Sequence, residues 1–414
     1  MEFGVSETRI ATRLAQLSEI GARPCGGMQR LSYSREEHEA QVLLADWLRD
    51  LDLHVSWDEA GNVIGRCEGS DPHAPAIMTG SHLDTQLGGG RFDGAAGVVA
   101  AVEAVAAIKG SGLIHRHPIE VVAWAGEEGS ARFDLGLIGS RAMVGALKPD
   151  DLNMQCRLTG QTLREAMQSL QIDPAEIAQA ERPAGTVRAV IELHIEQGPQ
   201  LESSGSQIGV VTAVAGNTRL PLRIRGQQAH SGGMPMHLRR DALCGAAEIL
   251  LRAEGAARRR TSPPVVVSAG YFHHEPRSIA IIPGVAEMTL DVRSVDARAI
   301  DEVVEEIRRE AINIAERRGL EVDFEPTWGT PPARLDQEIS AVIVQACEDV
   351  GVTWKELASG AGHDSMMLAR RFPAGMVFVP SVGGISHAPD EFTPIEDLTA
   401  GAMVLCRSIA HLAE

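Results

Sequence analysis

The chain is short of aromatic residues and of positive charge. Trp, Tyr and Phe make up only 4% of its 414 residues, which argues against a platform that stacks on nucleic-acid bases. Its 38 Lys and Arg stand against 56 Asp and Glu, a net charge of −18. We therefore expect no nucleic-acid partner and no binding to an acidic membrane surface. With carboxylates in such excess, they are the first groups to search for chemistry.

Paired cysteines, long apolar runs and a leader pattern are also missing. The six cysteines are scattered without a Cys-x-x-Cys pair, so thiolate metal sites are not expected and reduced, mostly buried thiols are. No apolar run reaches about 18 residues, and the first residues lack the layout of a signal peptide. At 44% apolar and 23% charged residues, the chain has the composition of a globular protein, which we expect to be cytoplasmic.

Helix and strand signals alternate through the first two hundred residues. Ser34 and Glu37 predict a capping box that opens a helix reaching residue 51, and the Ala- and Val-rich stretch 94–109 predicts another. Apolar runs typical of buried strands fall at residues 76–80, 119–125 and 187–193. This alternation predicts βαβ units, and hence an α/β fold with a mixed, largely parallel sheet.

The pattern changes near residue 210. The following signals run strand, helix, strand, strand, helix, strand, which predicts a compact α+β unit. Its first helix ends in three arginines at 258–260, expected to complement the helix C-terminus and to meet solvent. The economical interpretation is an α+β domain at residues 211–328, inserted into a discontinuous α/β domain of residues 1–210 and 329–414.

Four apolar runs end in His, Asp or Glu beside glycine. They deliver His82 with Asp84, then Glu127 with Glu128, then His194, then His387, while Asp93 lies in a glycine-rich loop. Each alone has an ordinary interpretation: Asp93 as a helix N-cap, His82 as a loop histidine, the glutamates as a solvated turn. The recurrence favours one convergent site, because α/β sheets place ligands at the carboxyl ends of parallel strands.

The chemistry of these side chains favours metal ions. Carboxylates and imidazoles without thiolates suit a pair of Zn, Mn, Co or Ni ions. Two metals about 4 Å apart need a bridging carboxylate, which this set can provide. The sequence therefore predicts two divalent ions as the cofactor.

Seven motifs in one order carry a family resemblance. They are GSHLDT, GGRFDG, the segment 126–133, ELHIEQGP, AHSGGMPM, SGAGHDS and GISHAPDE, running from Gly80 to Glu391. With them the chain resembles the M20 metallopeptidase-like amidohydrolases. The branch it is most similar to contains N-carbamoyl-L-amino-acid hydrolase, β-ureidopropionase and allantoate amidohydrolase. The resemblance implies a metal-binding catalytic domain, interrupted by an inserted dimerisation or lid domain through which a homodimer forms.

The resemblance also implies roles for residues. The implied metal ligands are His82, Asp93, Glu128, His194 and His387. Asp93 would bridge the two ions, and Glu127 would be the general base that deprotonates water. Asp84 would hydrogen-bond His82 and fix its ring. His230, in the inserted domain, would stabilise the tetrahedral intermediate, in relatives across a dimer interface.

Three further positions are implied substrate contacts. Arg293 would pair with a substrate carboxylate, the alternative being a surface arginine on a strand. Gln197 would contact a substrate amide, or else make a hydrogen bond within its loop. Gly360 belongs to a loop near the pocket, in which His363 is expected to be structural. Three other histidines, at 237, 273 and 274, are expected to be polar surface or loop residues.

Two departures from the branch pattern concern the substrate. Ala280 stands where the branch usually has Asn, and the loop 231–234 reads SGGM where hydroxyl residues are common. Losing an amide that bonds substrate in a buried site costs about 1–3 kcal/mol, so a different substrate is favoured over a weak version of the usual one.

The sequence therefore predicts a metal-dependent hydrolase acting on a carbamoyl, ureido or amide C–N bond of a small anionic substrate. An N-carbamoyl-L-amino acid is such a substrate. Two alternatives within the enzymes stay open, a hydrolytic deaminase and an N-acyl-amino-acid or dipeptide hydrolase with a remodelled pocket. A non-catalytic binding protein on the same fold is the alternative outside them.

Overall fold

The computed structural model describes residues 3–156 and 158–413. The chain divides into two compact units, Met1–Thr212 with Arg334–Glu414 and Ala213–Ala333. We call them the discontinuous unit and the inserted unit. The sequence-based boundaries stood at 210/211 and 328/329, and the assignment of the units as catalytic and dimerisation domains stays a prediction.

The strands and helices follow in chain order. The strands are β1 (His54–Trp57), β2 (Val63–Cys67), β3 (Ala76–His82), β4 (Ile119–Trp124), β5 (Val187–Ile195), β6 (Ile208–Val214), β7 (Gly216–Arg225), β8 (Ala229–His230), β9 (Val266–Glu275), β10 (Ile281–Ile282), β11 (Val285–Ser294), β12 (Glu321–Phe324), β13 (Trp328–Thr330), β14 (Ala333–Arg334), β15 (Trp354–Ser359) and β16 (Ala374–Val379). The helices are α1 (Glu7–Glu19), α2 (Arg35–Asp50), α3 (Ala95–Ser111), α4 (Ser130–Phe133), α5 (Ile138–Met143), α6 (Leu163–Ser169), α7 (Gln200–Ser204), α8 (Ala242–Arg258), α9 (Ala297–Arg318), α10 (Gln337–Val350), α11 (Asp364–Leu368) and α12 (Ile395–Ala413).

The discontinuous unit is built on a mixed sheet, which is the predicted fold class. Its strand order is β1-β2-β4-β3-β5-β16-β6-β14, with β15 beside β6. The neighbours β4, β3, β5 and β16 run parallel, whereas β2 and β6 join them antiparallel. The parallel part is thus confined to the centre. Those four strands are the ones whose ends carry the polar residues noted above, so their carboxyl ends lie side by side.

Helix α3 is the centre of the core in this unit. It packs on β3 and β5 and against α1 and α12, and its Ala and Val residues are buried on all sides. Glu103, fully buried on this helix, is paired with Arg9 and Arg13 of α1 at 2.6 and 3.0 Å. A buried carboxylate needs such partners, and here they tie α1 to the core.

The inserted unit is an antiparallel sheet covered by two helices. Its strand order is β12-β7-β11-β9, with β13 beside β7, and α8 and α9 pack on it. Strand β11 alternates buried and half-buried residues along its length, as a strand with one covered face does. Strands β8 and β10 form a separate two-residue ladder.

Of two local predictions for helix ends, one was wrong in part. Ser34 caps α2 by accepting from the Glu37 amide at 3.2 Å, but the Glu37 carboxylate does not return to Ser34. It is buried and accepts from backbone amides elsewhere, because buried amides need an acceptor. The three arginines at 258–260 lie at the C-terminal end of α8, where Arg258 and Arg259 are exposed as expected, and they also pair with carboxylates on α8 and α9.

The six cysteines are free. Cys156, Cys347 and Cys406 are buried, whereas Cys25 and Cys244 are exposed, so the expectation of mostly buried thiols holds for only part of the set. The helices in the described part of the chain are too short or too polar to cross a bilayer.

Candidate metal centre and active site

The polar residues at the four strand ends meet in one cluster. The end of β3 supplies an imidazole, the turn after β4 two carboxylates, the end of β5 a second imidazole and the loop after β16 a third. The loop before α3 adds one more carboxylate. The five implied metal ligands brought together in this way are His82, Asp93, Glu128, His194 and His387.

Asp93 lies between two groups of ligands. Its Oδ1 is 3.1 Å from His194 Nε2 and 3.6 Å from His82 Nε2. Its Oδ2 is 3.1 Å from His387 Nε2, and that nitrogen is 3.0 Å from Glu128 Oε1. We call His82, Asp93 and His194 the buried triad, and Asp93, Glu128 and His387 the open triad. A carboxylate with one oxygen toward each triad is placed as a bridge between two cations.

The rings of the buried triad are fixed by the backbone. His82 Nδ1 lies 3.0 Å from Asp84 O, and His194 Nδ1 lies 2.9 Å from Ile195 O. A carbonyl accepts only from a protonated ring nitrogen, so each Nδ1 carries hydrogen. This is how proteins orient a histidine that binds metal. Each Nε2 faces Asp93 Oδ1, to which it donates here, and a metal ion bound between them would take the place of that proton.

The electrostatics of the cluster favour positive charge. Burial works against the charge of Asp93, but hydrogen bonds from His194, His387 and His82 hold its pKa well below the usual range. For His387, burial lowers the pKa while Asp93 and Glu128 raise it, with the net result of about 11. Protons on the imidazoles thus offset the negative charge of the carboxylates. Bound cations would neutralise the same carboxylates. Three imidazoles and two carboxylates without a thiolate fit a pair of divalent transition ions.

Glu127 lies beside the buried triad. Its Oε2 is 3.8 Å from His82 Nε2, and its side chain is nearly buried. Burial raises the pKa of Glu127 well above its usual range; the charge of His82 lowers it and that of Glu128 raises it. A carboxyl group at this position can take up and release a proton.

Asp84 makes more contacts than the sequence predicted. Its Oδ1 is 3.4 Å from His82 Nδ1, but the ring's closer partner is the backbone oxygen of Asp84. Its two carboxylate oxygens also accept from the amides of Glu127 and Glu128, at 3.2 and 2.9 Å. Asp84 therefore holds the carboxylate turn as well as the ring, a role that its position in GSHLDT did not reveal.

Glu391 is a residue at the site that sequence reasoning missed. Its Oε1 accepts from Phe92 N and Asp93 N at 2.9 and 3.0 Å, and its Oε2 accepts from Ser386 Oγ at 2.7 Å. It thus joins the loop of Asp93 to the loop of His387. The only signal was its place at the end of the GISHAPDE motif, where no role had been assigned to it.

Other residues of the discontinuous unit lie at or beside the cluster. Gln197 Nε2 donates to Asp93 Oδ2 at 3.0 Å and to Ser386 Oγ at 3.1 Å. His363 is buried, its ring centroid 4.4 Å from that of His194 and its Nε2 2.8 Å from Ser359 Oγ. Gly360 is exposed in the loop after β15.

His230 and Arg293 belong to the inserted unit. His230 ends β8 and is exposed, with its Nδ1 accepting from Gly232 N and Gly233 N at 3.1 and 3.0 Å. Arg293 lies on β11 and pairs with Asp291 of the same strand at 3.0 Å. The expectation of surface or loop positions was wrong in part for residues 273 and 274, because both are half-buried on strand β9.

Comparison with known proteins supports the family resemblance that the motifs implied. Residues 78–411 match peptidase family M20/M25/M40. The chain is 42% identical to an N-carbamoyl-L-amino acid amidohydrolase from Geobacillus stearothermophilus, over 98% of each chain. It is 34% identical to an allantoate amidohydrolase from Escherichia coli, over 98% of this chain and 97% of the relative. A crystal structure of an amidase of the hydantoinase/carbamoylase family from Burkholderia multivorans superposes with a TM-score of 0.89, at 33% identity over 99% of this chain and 98% of the other.

Proposed function

Since the chain belongs to peptidase family M20/M25/M40 and is a hydrolase of C–N bonds, we propose that it hydrolyses an N-carbamoyl-L-amino acid. The products are the free amino acid, ammonia and carbon dioxide. The observation that carries the proposal is Asp93, whose two oxygens face one triad each beside the carboxylate of Glu127. A relative named for this reaction supports the choice of substrate.

The proposed cofactor is a pair of divalent ions, Zn or Mn, Co or Ni. The buried triad would hold one ion and the open triad the other, with Asp93 shared. Ions bound in such a pair lower the pKa of water toward neutrality and polarise the carbonyl that is attacked.

Glu127 is the proposed general base. Its carboxylate takes a proton from the attacking water and gives it to the leaving nitrogen, which departs as the C–N bond breaks. Burial raises the pKa of Glu127, which makes its carboxylate a stronger base toward the water proton. Asp84 keeps the turn in place by accepting from the Glu127 and Glu128 amides.

His230 is proposed to stabilise the oxyanion. Because its Nδ1 accepts from Gly232 and Gly233, its proton lies on Nε2, which is then a donor. We propose that this donor serves the metal centre of a homodimer.

The substrate carboxylate is assigned to Arg293, with Gln197 and the loop of Gly360 as further contacts. Ala280 is exposed, and its carbonyl oxygen accepts from Ser231 N at 2.9 Å, next to His230. No amide is offered there. We therefore propose a carbamoyl amino acid that is bound without an amide contact at position 280.

We propose a cytoplasmic homodimer that forms through the inserted unit. Strand β9 is an edge of its sheet among the described residues, and Tyr271 on it is 51% exposed. A long edge strand with exposed aromatic residues is a surface that pairs with another chain. Free cysteines fit a reducing compartment.

A substrate panel tests the proposed function. Metal-loaded protein is given N-carbamoyl, N-acetyl and ureido acids and dipeptides, and the products are measured. Ammonia released mainly from N-carbamoyl amino acids supports the proposal. Acetate from N-acetyl acids or two amino acids from a dipeptide would replace it with an acylase or peptidase. No turnover of any member would favour a binding protein.

A further inference from the structure

The turn that carries Glu127 and Glu128 is held through its backbone by two buried carboxylates. Asp84 accepts from Glu127 N and Glu128 N. The amide just before them, Gly126 N, donates instead to Glu37 Oε1 at 3.0 Å. Three consecutive amides are therefore fixed by side-chain oxygens, which leaves the carboxylates of the turn to face the metal centre.

The Glu37 carboxylate is buried, and both of its oxygens are used by backbone amides. It is only 1% exposed, and its second oxygen, Oε2, accepts from Tyr33 N. Each of its oxygens therefore takes one backbone amide. Ionised groups are rarely buried without such bonds, because desolvation is costly. The bond to Gly126 spans 89 residues of sequence and links helix α2 to the turn after β4.

The backbone at Gly126 has little room for a side chain or for a different conformation. Its backbone is left-handed, with φ of +67°, and a Cβ there would lie 2.8 Å from Tyr33 Cε2. The Tyr33 ring is itself held, because its hydroxyl donates to Ala60 O at 2.8 Å. Tyr33, Glu37 and Gly126 are thus packed as one unit.

The same stretch of chain supports the other carboxylate. Ser32 Oγ donates to Asp84 Oδ2, and Arg132 Nη1 donates to Ser32 O at 2.6 Å. The stretch 32–37 therefore contributes to both carboxylates that hold the turn. It contains Glu37 itself, and its Ser32 donates to Asp84.

We propose that Glu37 is a positioning residue for the general base, because the hydrogen bond that it accepts from the Gly126 amide fixes the position of the Glu127 carboxylate. This rests on the proposed function, in which Glu127 moves the proton. Catalytic groups tolerate little displacement, since a misplacement of about 1 Å can cost about 10²-fold in rate. The hydrogen bonds of the Glu37 carboxylate come from Gly126 N and Tyr33 N, and neither residue is one of the five implied metal ligands.

The test is Glu37→Gln, with Glu39→Gln as the matched control. Gln keeps the shape of Glu37 but turns an NH₂ group toward one of the two amides. Glu39 is on the same helix, exposed and paired with Arg35 at 2.7 Å. For Glu37→Gln we expect kcat to fall about tenfold to a hundredfold, with KM within about twofold and unchanged metal content. The control should match wild type.

Hydrogen exchange provides a readout that does not depend on activity. In a peptide spanning residues 125–131, Glu37→Gln should show one additional fast-exchanging amide, and Glu39→Gln none. Wild-type kcat in Glu37→Gln, or a raised KM with unchanged kcat, would overturn the proposal. So would a loss of bound metal, since Glu37 would then support the ligands rather than the base.

Two outcomes separate this proposal from the proposed function. If wild type turns over no carbamoyl substrate, the function fails, while the exchange experiment still decides whether Glu37 holds the turn. If Glu37→Gln does not fold, wild type itself is decisive: a protected Gly126 amide supports the contact, and one that exchanges as fast as an exposed amide overturns it.

Discussion

The buried triad and the open triad share Asp93 but are held in place by different means. His82 and His194 end two adjacent parallel strands, and both rings are anchored to backbone carbonyls. Glu128 lies in a short turn, and His387 lies in a loop with φ of +54° and a side chain 47% exposed. One half of the metal centre is therefore built into the sheet, and the other half is closed over it by loops.

This difference shows which part of the site is rigid. Strand ends in a packed sheet have few alternative positions, whereas loop residues open locally at lower free energy. We therefore expect the buried triad to bind its ion more tightly than the open triad. The open triad is also the one reached from solvent, so exchange of its ion should be faster.

The largest expected effect concerns Glu127, the proposed general base. Glu127→Gln removes the proposed proton acceptor but none of the five implied metal ligands, so turnover should fall about 10²- to 10⁴-fold with unchanged metal content. Steady-state kinetics and elemental analysis of the same sample check this. Retained turnover would remove Glu127 from its role, and loss of metal would make it a ligand.

Removing one ligand from each triad tests the comparison itself. His194→Ala should weaken the tightest metal binding by more than about 100-fold, because even partners that only orient a ligand are worth about 10- to 100-fold. His387→Ala should keep one tightly held ion per chain. Both are followed by metal content after dialysis against a chelator. Equal losses in the two variants would mean that the triads do not differ.

Gly94 tests how closely the buried triad is packed. A Cβ there would lie within 2.4–2.5 Å of the His82 ring, at a backbone φ of +65°. Gly94→Ala should therefore displace the ring and weaken metal binding about 10-fold or more. Gly112→Ala is the control, since Gly112 ends the same helix at φ of +70° with open space around it. Titration calorimetry with Mn²⁺ compares them, and similar affinities would contradict the packing argument.

The smallest effect is expected where the two loops are joined. Glu391→Gln keeps the shape of the side chain but weakens its bonds to Asp93 N and Ser386 Oγ. Metal affinity of the open triad should fall about 10-fold, with the buried triad little changed. Chelator competition resolves the two steps. An equal fall in the metal affinity of both triads would show that Glu391 acts only through Asp93, which the two triads share.

Much of this site was predictable because parallel strands place their ends together. The sequence patterns at His82, Glu128 and His194 each followed an apolar run, and strands β3, β4 and β5 proved to be neighbours. Two flanking antiparallel pairings were not predictable, because short apolar runs carry no direction.

Contacts distant in sequence could not be read in advance. Glu37 matched a capping box by its local spacing, yet its buried carboxylate binds Gly126. Of the three arginines at 258–260, Arg259 and Arg260 pair with carboxylates on the neighbouring helix α9. Local patterns identify which groups are polar, but tertiary packing decides which partner each of them meets.

The most direct test is a titration of metal-free protein with Mn²⁺ while ammonia release from an N-carbamoyl amino acid is followed. Two ions should bind per chain, the first at least about tenfold more tightly. Ammonia release should rise with the second ion and should be absent in His387→Ala at one ion per chain. Full turnover with a single ion bound per chain would contradict the account of two triads sharing Asp93.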